Sequence, residues 1–470
     1  MKKFFLRHLI AALCIISAAV ASAATPKYIF YFIGDGMGLA PVMATQTYNR
    51  MVKNNPQALR MMSFPYITWA QTYSASSPVT DSAAAGTALS TGSKTRNGML
   101  GQDADTVNVT SIARQLKDLG YGIGLVTNGS PDDATPAAFY AHVPNRGMFV
   151  EIAKQAAASG YDFIAGGGWR GLKKENNGIY EEFEKQGVVT FHGMDGVRRL
   201  AESDAERVVL LNPDGYADPN EMGFIVDSVG ADGVGITLPT LMQSCLAHLQ
   251  KNSPSKFFMM VEESLIDHAL HSNDGGAAVR EVQNLDDCVE IAYQFYLKHP
   301  EETLIIITAD HDTGGMSVGC RATGYNAYLA NIDAQTLSKG KFSDYCADLL
   351  KEGKTITWEQ MKAVLEAKLG FWKAVKLRDS QTEALKKAFD DTFVKHEGKD
   401  EKGLYKTSNA FASEVFRVFN DAAGLGFTTP NHTGNPVPVF AIGAGAENFT
   451  HQVNNIEIPQ IIRRLTNIPN

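Results

Sequence analysis

The sequence YIFYFIGDGMG, residues 28–38, places six consecutive apolar or aromatic residues before a glycine-rich turn that contains Asp35. The apolar run does not alternate with polar positions, which is typical of a strand buried on both faces in a parallel sheet covered by helices. Ligands of such sheets bind beyond the carboxyl ends of the strands. This stretch therefore predicts a buried parallel strand with Asp35 at the ligand-binding edge.

Similar apolar runs recur along the chain, and helical stretches separate them. They lie at residues 122–127, 162–165, 208–211, 257–261, 303–308 and 437–442. Strands that alternate with helices form layered α/β domains. The sequence thus predicts an α/β fold, a three-layer α/β/α sandwich with a central, mostly parallel sheet.

The first 23 residues have the features of a secretory signal peptide. Lys2, Lys3 and Arg7 give a positive start, residues 9–20 are apolar, and small residues at 21–23 form a cleavage site. The apolar segment is shorter than the ~20 residues that a spanning helix needs, so no membrane anchor is expected. We expect residues 1–23 to be removed and residues 24–470 to form an exported protein, either periplasmic or secreted.

The composition limits the possible partners. Of 470 residues, 44% are hydrophobic and 20% charged, which is typical of a globular protein. Without the three basic residues of the signal segment, the formal net charge is −11, so binding to nucleic-acid phosphates is not expected. The chain contains no CxxC pair, which argues against a thiolate zinc site. Three disulfide pairings, or free thiols, remain open for the four later cysteines, which are Cys245, Cys288, Cys320 and Cys346.

The stretch PVTDSAAAGTALSTG, residues 78–92, has two interpretations. Asp81 and Ser82 are followed almost entirely by alanine, glycine, serine and threonine. Such residues form either a tightly packed core helix or a thin helix that carries a nucleophile, Ser82, close to the sheet. The stretch alone does not decide between them, because a short motif needs its structural context.

Acidic residues follow four of the predicted strands. Asp35 follows the first, Asp132 and Asp133 the second, Glu262 and Glu263 the next, and Asp310 to Asp312 the last. A single acid at a strand end is usually a turn former or a helix cap. Four at one edge of a sheet indicate a metal site.

Histidines complete two candidate ligand sets. Asp267 and His271 are four residues apart, which places both on one face of a helix. Asp310 and His311 are adjacent at a strand end, and His432 lies just before the last apolar run. Zinc binds histidine nitrogen and carboxylate oxygen, whereas magnesium prefers oxygen. Each pair alone could be structural, but together they indicate a site with more than one metal.

A long insertion separates His311 from His432. Residues 358–369, 379–394 and 407–423 show apolar positions at helical spacing, and the charged segment 395–406 is expected to be an exposed loop. An insertion between two strand ends would lie over the site. We expect a helix-rich cap at roughly residues 316–428.

These motifs, in this order, resemble the zinc- and magnesium-dependent alkaline phosphatases, and the resemblance covers most of the chain after the signal segment. The matching motifs are GDGMG at 34–38, VTDSAA at 79–84, DATPAA at 133–138, AHVPNR at 141–146, the segment 261–271, TADH at 308–311 and HTG at 432–434. The resemblance implies an enzyme that hydrolyses phosphate monoesters, releases inorganic phosphate, contains two zinc ions and one magnesium ion, and forms a homodimer.

The resemblance also implies a role for each matching residue. One zinc would bind Asp267, His271 and His432, and the other Asp35, Asp310 and His311. Magnesium would bind Asp35, Thr135 and Glu262, with Asp133 acting through water. Ser82 would be the nucleophile that forms a phosphoserine, Arg146 would hold the phosphate, and Asp81 would orient Arg146.

Three positions and two alternative functions stay open. Asp133 and His268 occupy positions that vary in the family, and His142 is interpreted as a supporting or core histidine. A phosphodiesterase or sulfatase of the same superfamily is an alternative, although the sulfatase cysteine signature is absent. An exported metal- or phosphate-binding protein without catalysis is another, but such a protein would not need the nucleophile Ser82.

Overall fold

A ten-stranded sheet forms the centre of the protein in a computed structural model that describes residues 25–55, 59–172, 178–213, 222–227 and 235–469. The expected signal peptide, residues 1–23, lies outside the described residues. The strands are β1 Tyr28–Gly34, β2 Tyr66–Gln71, β3 Gly122–Thr127, β4 Phe163–Gly166, β5 Val189–His192, β6 Val208–Leu211, β7 Phe257–Glu263, β8 Thr303–Thr308, β9 Asp312–Thr313, β10 Ser317–Val318, β11 Glu401–Lys402, β12 Thr407–Ser408, β13 Leu425–Gly426, β14 His432–Thr433, β15 Val437–Gly443 and β16 Val453–Asn454.

The order of strands in the large sheet is β16-β2-β15-β8-β1-β7-β3-β4-β6-β5. Within the described residues, β15 runs antiparallel to its neighbours β8 and β2, and the other pairs are parallel. Ile33 of β1 is in register with both Glu262 of β7 and Thr308 of β8. The acids that follow these three strands therefore meet at one edge of the sheet.

Helices cover the sheet, whose central strands are fully buried. The helices are α1 Leu39–Met51, α2 Ser82–Thr91, α3 Ile112–Asp118, α4 Ala134–Ala137, α5 Phe149–Ala158, α6 Ile179–Lys185, α7 Gly193–Ala201, α8 Leu238–Asn252, α9 Leu265–His271, α10 Gly275–Tyr296, α11 Lys339–Lys351, α12 Trp358–Leu369, α13 Asp379–Phe389, α14 Ala410–Ala423 and α15 Glu457–Leu465. Helix α10 packs against α1 and α8, and helix α2 packs against α3, α4 and α15. The predicted α/β sandwich is confirmed.

The insertion has a hydrophobic core separate from that of the sheet. Buried side chains of α11 to α14, including Phe342, Leu365, Phe411 and Phe416, pack together there. The predicted helix at 358–369 is α12. The segment 379–394 forms α13 and then one π-helical turn, Asp390–Val394.

Two local features of the insertion differ from the expectation. The predicted helix at 407–423 begins at Ala410, because the Asn409 side chain accepts the backbone N–H of Phe411 at 3.0 Å and caps α14. The preceding residues pair with β11 as strand β12. The segment 395–406 is thus not simply a loop, since it contains half of this hairpin. Helix α11 had no counterpart among the predictions.

The four described cysteines are free thiols. Cys245, Cys288 and Cys346 are buried, and Cys320 is partly buried. Burial raises the pKa of the Cys245 and Cys288 thiols. Among the described residues, no helix has both the length and the apolar character needed to cross a bilayer.

Candidate active site

Helix α2 presents Ser82 at its first position. Asp81 precedes it in extended conformation, and its Oδ1 accepts the backbone N–H of Ala84 at 3.0 Å, so Asp81 is the helix cap. Every residue of α2 is buried. A Cβ on Gly86 would lie 3.2 Å from Cβ of Ala138, just beyond α4. The small residues of this stretch therefore allow close packing against α4, and the hydroxyl of Tyr31 in β1 donates to the carbonyl of Leu89 at 3.3 Å, so the helix also contacts the sheet.

The Ser82 hydroxyl lies beside His311 and two buried carboxylates. Its Oγ is 3.1 Å from Nε2 of His311. The same Nε2 lies 3.1 Å from Oδ2 of Asp310 and 3.4 Å from Oδ1 of Asp35. Neither of these two carboxylate oxygens accepts a hydrogen bond from the described residues. The structure thus brings together the nucleophile candidate and one predicted zinc set.

The hydrogen bonds of Thr313 indicate the tautomer of His311. The Thr313 hydroxyl donates to Oδ1 of Asp267 at 2.5 Å, so it is an acceptor for the Nδ1–H of His311, 3.2 Å away. In the neutral ring, Nε2 then presents a lone pair to two carboxylates. Although burial opposes protonation, Asp310 raises the pKa of His311. One proton would still leave the pair of carboxylates with excess negative charge, which a divalent cation would balance.

The second predicted zinc set forms an adjacent cluster. Nδ1 of His271 is 2.6 Å from the carbonyl of Pro430, and Nδ1 of His432 is 2.9 Å from the carbonyl of Thr80. A carbonyl only accepts, so both Nδ1 atoms carry hydrogen and both Nε2 atoms are lone-pair donors to a metal. These Nε2 atoms lie 2.9 Å apart, and Asp267 oxygens lie 3.3 Å and 3.7 Å from them.

Such a cluster of lone pairs is unfavourable without a cation. Burial lowers the pKa of His432 to about 4, so the ring stays neutral and able to bind metal at ordinary pH. The distances, burial and tautomers all fit a metal-binding site.

A glycine brings the backbone of the first loop between the two clusters. Gly36 has a φ of 67° and donates its N–H to Oδ1 of Asp310 at 3.0 Å. A Cβ at this position would lie 2.7 Å from Oδ1 of Asp267. The left-handed conformation and the close approach both require glycine here.

The third predicted set, for magnesium, shares Asp35 with the first zinc set and adds Thr135 and Glu262. Burial raises the pKa of Glu262 to about 8, although the hydroxyls of Thr127 and Thr135 act in the opposite direction. Burial also raises the pKa of Asp35, and the charges of Asp310, Asp267, Glu262 and Asp133 raise it further. This concentration of buried oxygen ligands suits a hard cation such as magnesium.

Two arginines hold Asp133. Arg146 Nη2 lies 3.0 Å from Oδ1 of Asp133, and Arg170 Nη1 lies 3.2 Å from Oδ2. Against the effect of burial, Arg170 and Arg146 lower the pKa of Asp133 to about 2. Arg146 Nη1 also lies 3.3 Å from Oδ2 of Asp81. The structure therefore joins Asp81, Arg146 and Asp133, and places Arg170, which the sequence interpretation did not include, beside them.

The two uncertain histidines have different surroundings. The ring of His268 stacks on Tyr405 with centroids 3.6 Å apart, next to the Asp267 cluster. His142 Nε2 lies 3.1 Å from the carbonyl of Val109, and its backbone N–H donates to Gln155. His268 thus belongs to the site, whereas these contacts give His142 a structural role.

Comparison with known proteins identifies the family. The family model described as alkaline phosphatase matches residues 26–165 and 171–468. Alkaline phosphatase 3 of Bacillus subtilis is 30% identical over 92% of this chain and 87% of its own length, and alkaline phosphatase 4 of the same organism is 29% identical over 96% and 90%. The structure of a cold-active alkaline phosphatase from a psychrophilic Shewanella superposes with a TM-score of 0.77 and 26% identity, covering 94% of this chain and all of that one.

The chain belongs to the alkaline phosphatase family. It is an enzyme, a hydrolase of a metal-dependent family that acts on phosphate monoesters. The resemblance inferred from the sequence motifs is therefore confirmed.

Proposed function

We propose that this protein is an exported phosphomonoesterase that forms a phosphoserine at Ser82, using two zinc ions and one magnesium ion. The observation that carries the proposal is the position of Ser82. Its Oγ lies 3.1 Å from His311 Nε2, and Ser82 is the first residue of α2. A binding protein would not need a hydroxyl at this point.

The residues present fit the metals that the proposal requires. Asp35, Asp310 and His311 would hold one zinc. Asp267, His271 and His432 would hold the other, and the buried residues Asp35, Thr135 and Glu262 the magnesium. When bound, these ions would favour the serine alkoxide and neutralise charge on the entering and leaving oxygens.

The chain itself supplies the groups that bind and orient the phosphate. The N-terminus of α2 offers free backbone N–H groups and a partial positive charge to an anion at Ser82. Arg146 provides a planar pair of N–H donors that matches two phosphate oxygens. Asp81 and Asp133 hold its guanidinium from two sides, so the side chain is oriented before substrate binds.

The reaction proceeds in two displacements at phosphorus. Ser82 loses its hydroxyl proton to solvent and its Oγ attacks phosphorus. The serine–phosphate bond forms, and the ester oxygen leaves on the side of Asp267, His271 and His432 and takes up a proton from water. Water then attacks phosphorus, the bond to Ser82 breaks, and inorganic phosphate is released. We expect each displacement to be in line, with the entering and leaving oxygens on opposite sides of phosphorus.

The remaining expectations complete the proposal. Residues 24–470 form the catalytic domain, and residues 316–428 form its cap. Export by the signal peptide places the enzyme in the periplasm or outside the cell, and the enzyme forms a homodimer. Arg146, which suits the dianion of a monoester, supports this function over a phosphodiesterase or sulfatase of the same superfamily.

Substitution of the nucleophile tests the proposal. We expect Ser82→Ala to lose most of the turnover of a phosphate monoester, about 10⁴-fold or more by analogy with other nucleophile replacements, while still binding zinc. Thr87→Ser, in the same helix, is the matched control and should keep its activity. Assays with a monoester, a diester and a sulfate ester, before and after chelation, separate the candidate activities. Full activity in Ser82→Ala, or no phosphate release that a chelator abolishes, would contradict the proposal.

A further inference from the structure

A hairpin of the insertion carries a tyrosine into the active site. Strands β11 and β12 pair Glu401 with Ser408 and Lys402 with Thr407, and the Gly403 N–H donates to the carbonyl of Lys406 at 3.2 Å. Tyr405 lies in the turn between the strands. Its neighbour Leu404 is 64% exposed, whereas Tyr405 is partly buried against the metal-ligand cluster.

Tyr405 contacts a proposed zinc ligand directly. Its hydroxyl donates to Oδ2 of Asp267 at 3.0 Å. Its ring stacks on His268 at a centroid distance of 3.6 Å and meets the ring of His271 edge-on at 5.3 Å. The side chain thus fixes one oxygen of Asp267 and packs against the rings of His268 and His271.

The other oxygen of Asp267 is held by a different part of the chain. Oδ1 accepts the Thr313 hydroxyl at 2.5 Å, so one hydroxyl holds each oxygen of this carboxylate. Outer partners of this kind orient metal ligands and tune the metal affinity. Thr313 lies on strand β9, before the insertion begins, whereas Tyr405 lies within the insertion. The orientation of Asp267 therefore depends on both.

Lys339 connects the hairpin to the end of α9 through one ion pair and one hydrogen bond. The Lys339 ammonium donates to Oε2 of Glu401 at 3.0 Å and to the carbonyl of Ser272 at 3.1 Å, directly after the helix that carries Asp267. Glu401 also accepts the Ser413 hydroxyl at 2.6 Å. Lys339 is only 5% exposed, whereas the Glu401 side chain is 46% exposed, so the lysine forms the buried end of this anchor.

We propose that Tyr405 is a positioning residue for the zinc site of Asp267, His271 and His432. Its hydroxyl orients Asp267 for the metal, and its ring closes the leaving-group side of the site. The inference rests on the proposed function and adds a residue from the insertion to the machinery of that site. It gives the insertion a role in metal retention as well as in access.

Removing only the hydroxyl is the sharpest test. Tyr405→Phe keeps the ring on His268 but deletes the hydrogen bond to Asp267. We expect zinc affinity to fall about 10- to 100-fold, the range typical of lost outer-shell partners. The affinity is measured by competition with a chelator of known zinc affinity. The kcat of Tyr405→Phe should fall at limiting zinc and recover with excess zinc. Leu404→Ala, in the same turn, should change neither property.

A second variant localises the effect to one site. In a His432→Ala background, which disables the Asp267 site, the additional change Tyr405→Phe should have no further effect on the affinity of the remaining site. A similar loss in both backgrounds would overturn the assignment to this site. Unchanged zinc affinity in Tyr405→Phe, with an unchanged melting temperature, would overturn the proposal altogether.

Failure of the positioning role and failure of the proposed function give different results. If the unmodified protein binds zinc and hydrolyses monoesters but Tyr405→Phe behaves identically, the positioning role alone fails. If the unmodified protein neither binds zinc nor releases phosphate, the proposed function itself fails. A loss of zinc affinity in Tyr405→Phe without phosphatase activity in the parent would support the positioning role and reject only the catalytic proposal.

Discussion

Removal of divalent cations should lower the stability of this protein by a measurable amount. The two zinc-type clusters consist of carboxylate oxygens and of Nε2 atoms that carry no hydrogen, as shown for His271 and His432. These groups lie within 4 Å of one another in a buried region. A cation that binds them binds only the folded chain, so it stabilises the folded state by mass action.

The size of the effect follows from the number of sites. A site kept at a free cation concentration 1,000 times its dissociation constant adds about 4 kcal/mol, so two such sites add about 8 kcal/mol. A chain of about 450 residues has an unfolding entropy of roughly 0.9 kcal/mol/K near its midpoint. A chelator should therefore lower the melting temperature by about 9 °C.

The pH dependence of the chelated protein has a definite sign. Burial raises the pKa of Glu262 to about 8 and also raises that of Asp35. A carboxyl group whose pKa is raised on folding stabilises the protein at low pH, and this contribution is lost as the pH rises through the folded pKa. The melting temperature of the chelated protein should thus fall between about pH 4.5, the ordinary pKa of a glutamate, and about pH 8, and level off above it. The melting temperature of the metal-loaded protein should depend less on pH, because bound cations instead of protons balance the charge of these carboxylates.

Differential scanning fluorimetry with and without chelator measures both effects. His432→Ala should reduce the chelator-induced shift by about half, because one of two sites is lost. His142→Ala removes a histidine outside the cluster and should leave that shift unchanged. If the unmodified protein melts at the same temperature and with the same pH profile in both conditions, these clusters do not bind metal under the conditions used.

Two further substitutions have calculable consequences. Thr313→Val deletes the donor to Asp267 and the acceptor for His311, so zinc affinity in a competition titration should fall about 10- to 100-fold; equal affinity in the folded variant would contradict this role. Burial raises the pKa of Asp286 from 3.8 to about 6, against the effect of the Met61 and Arg60 N–H groups. Its contribution to stability is present below pH 4 and is lost by pH 6. The unmodified protein should therefore lose about 3 kcal/mol more than Asp286→Asn over this range. Urea denaturation at several pH values checks this, and parallel pH profiles for the two proteins would refute it.

The strands were predictable where the sequence is continuously apolar. Seven such runs correspond to strands of the sheet, with β3, β6 and β8 at the predicted bounds. Strand β2 was not predicted, because its exposed and buried residues alternate and its place depends on pairing with β15, far along the chain. Strand β5 is short and partly exposed at one edge of the sheet. The local pattern of such strands is weak, and pairing with distant parts of the chain determines whether they form.

The proposed metal ligands could be inferred because they directly follow buried strands or share a helix face. The same rule could have identified Arg170, since it follows β4 by a short glycine-rich turn. Thr313 lies two residues after His311 and could have been considered for the same reason. Tyr405 carried no such signal. Its place depends on how the insertion folds and on the Lys339–Glu401 ion pair, which joins residues 62 positions apart in sequence.

The geometry around Asp81 links the proposed nucleophile to the phosphate-binding residue. One carboxylate oxygen of Asp81 caps α2 and so fixes Ser82, while the other accepts the Gly98 N–H at 3.0 Å and contacts Arg146. The carbonyl of Gly98 in turn accepts the backbone N–H of Arg146 at 2.8 Å. Ser82 and Arg146 are 64 residues apart in sequence, yet one side chain and one glycine hold them together. The small residues that follow Ser82 complete this arrangement, because they let α2 pack against α4, where Thr135 lies among the proposed magnesium ligands.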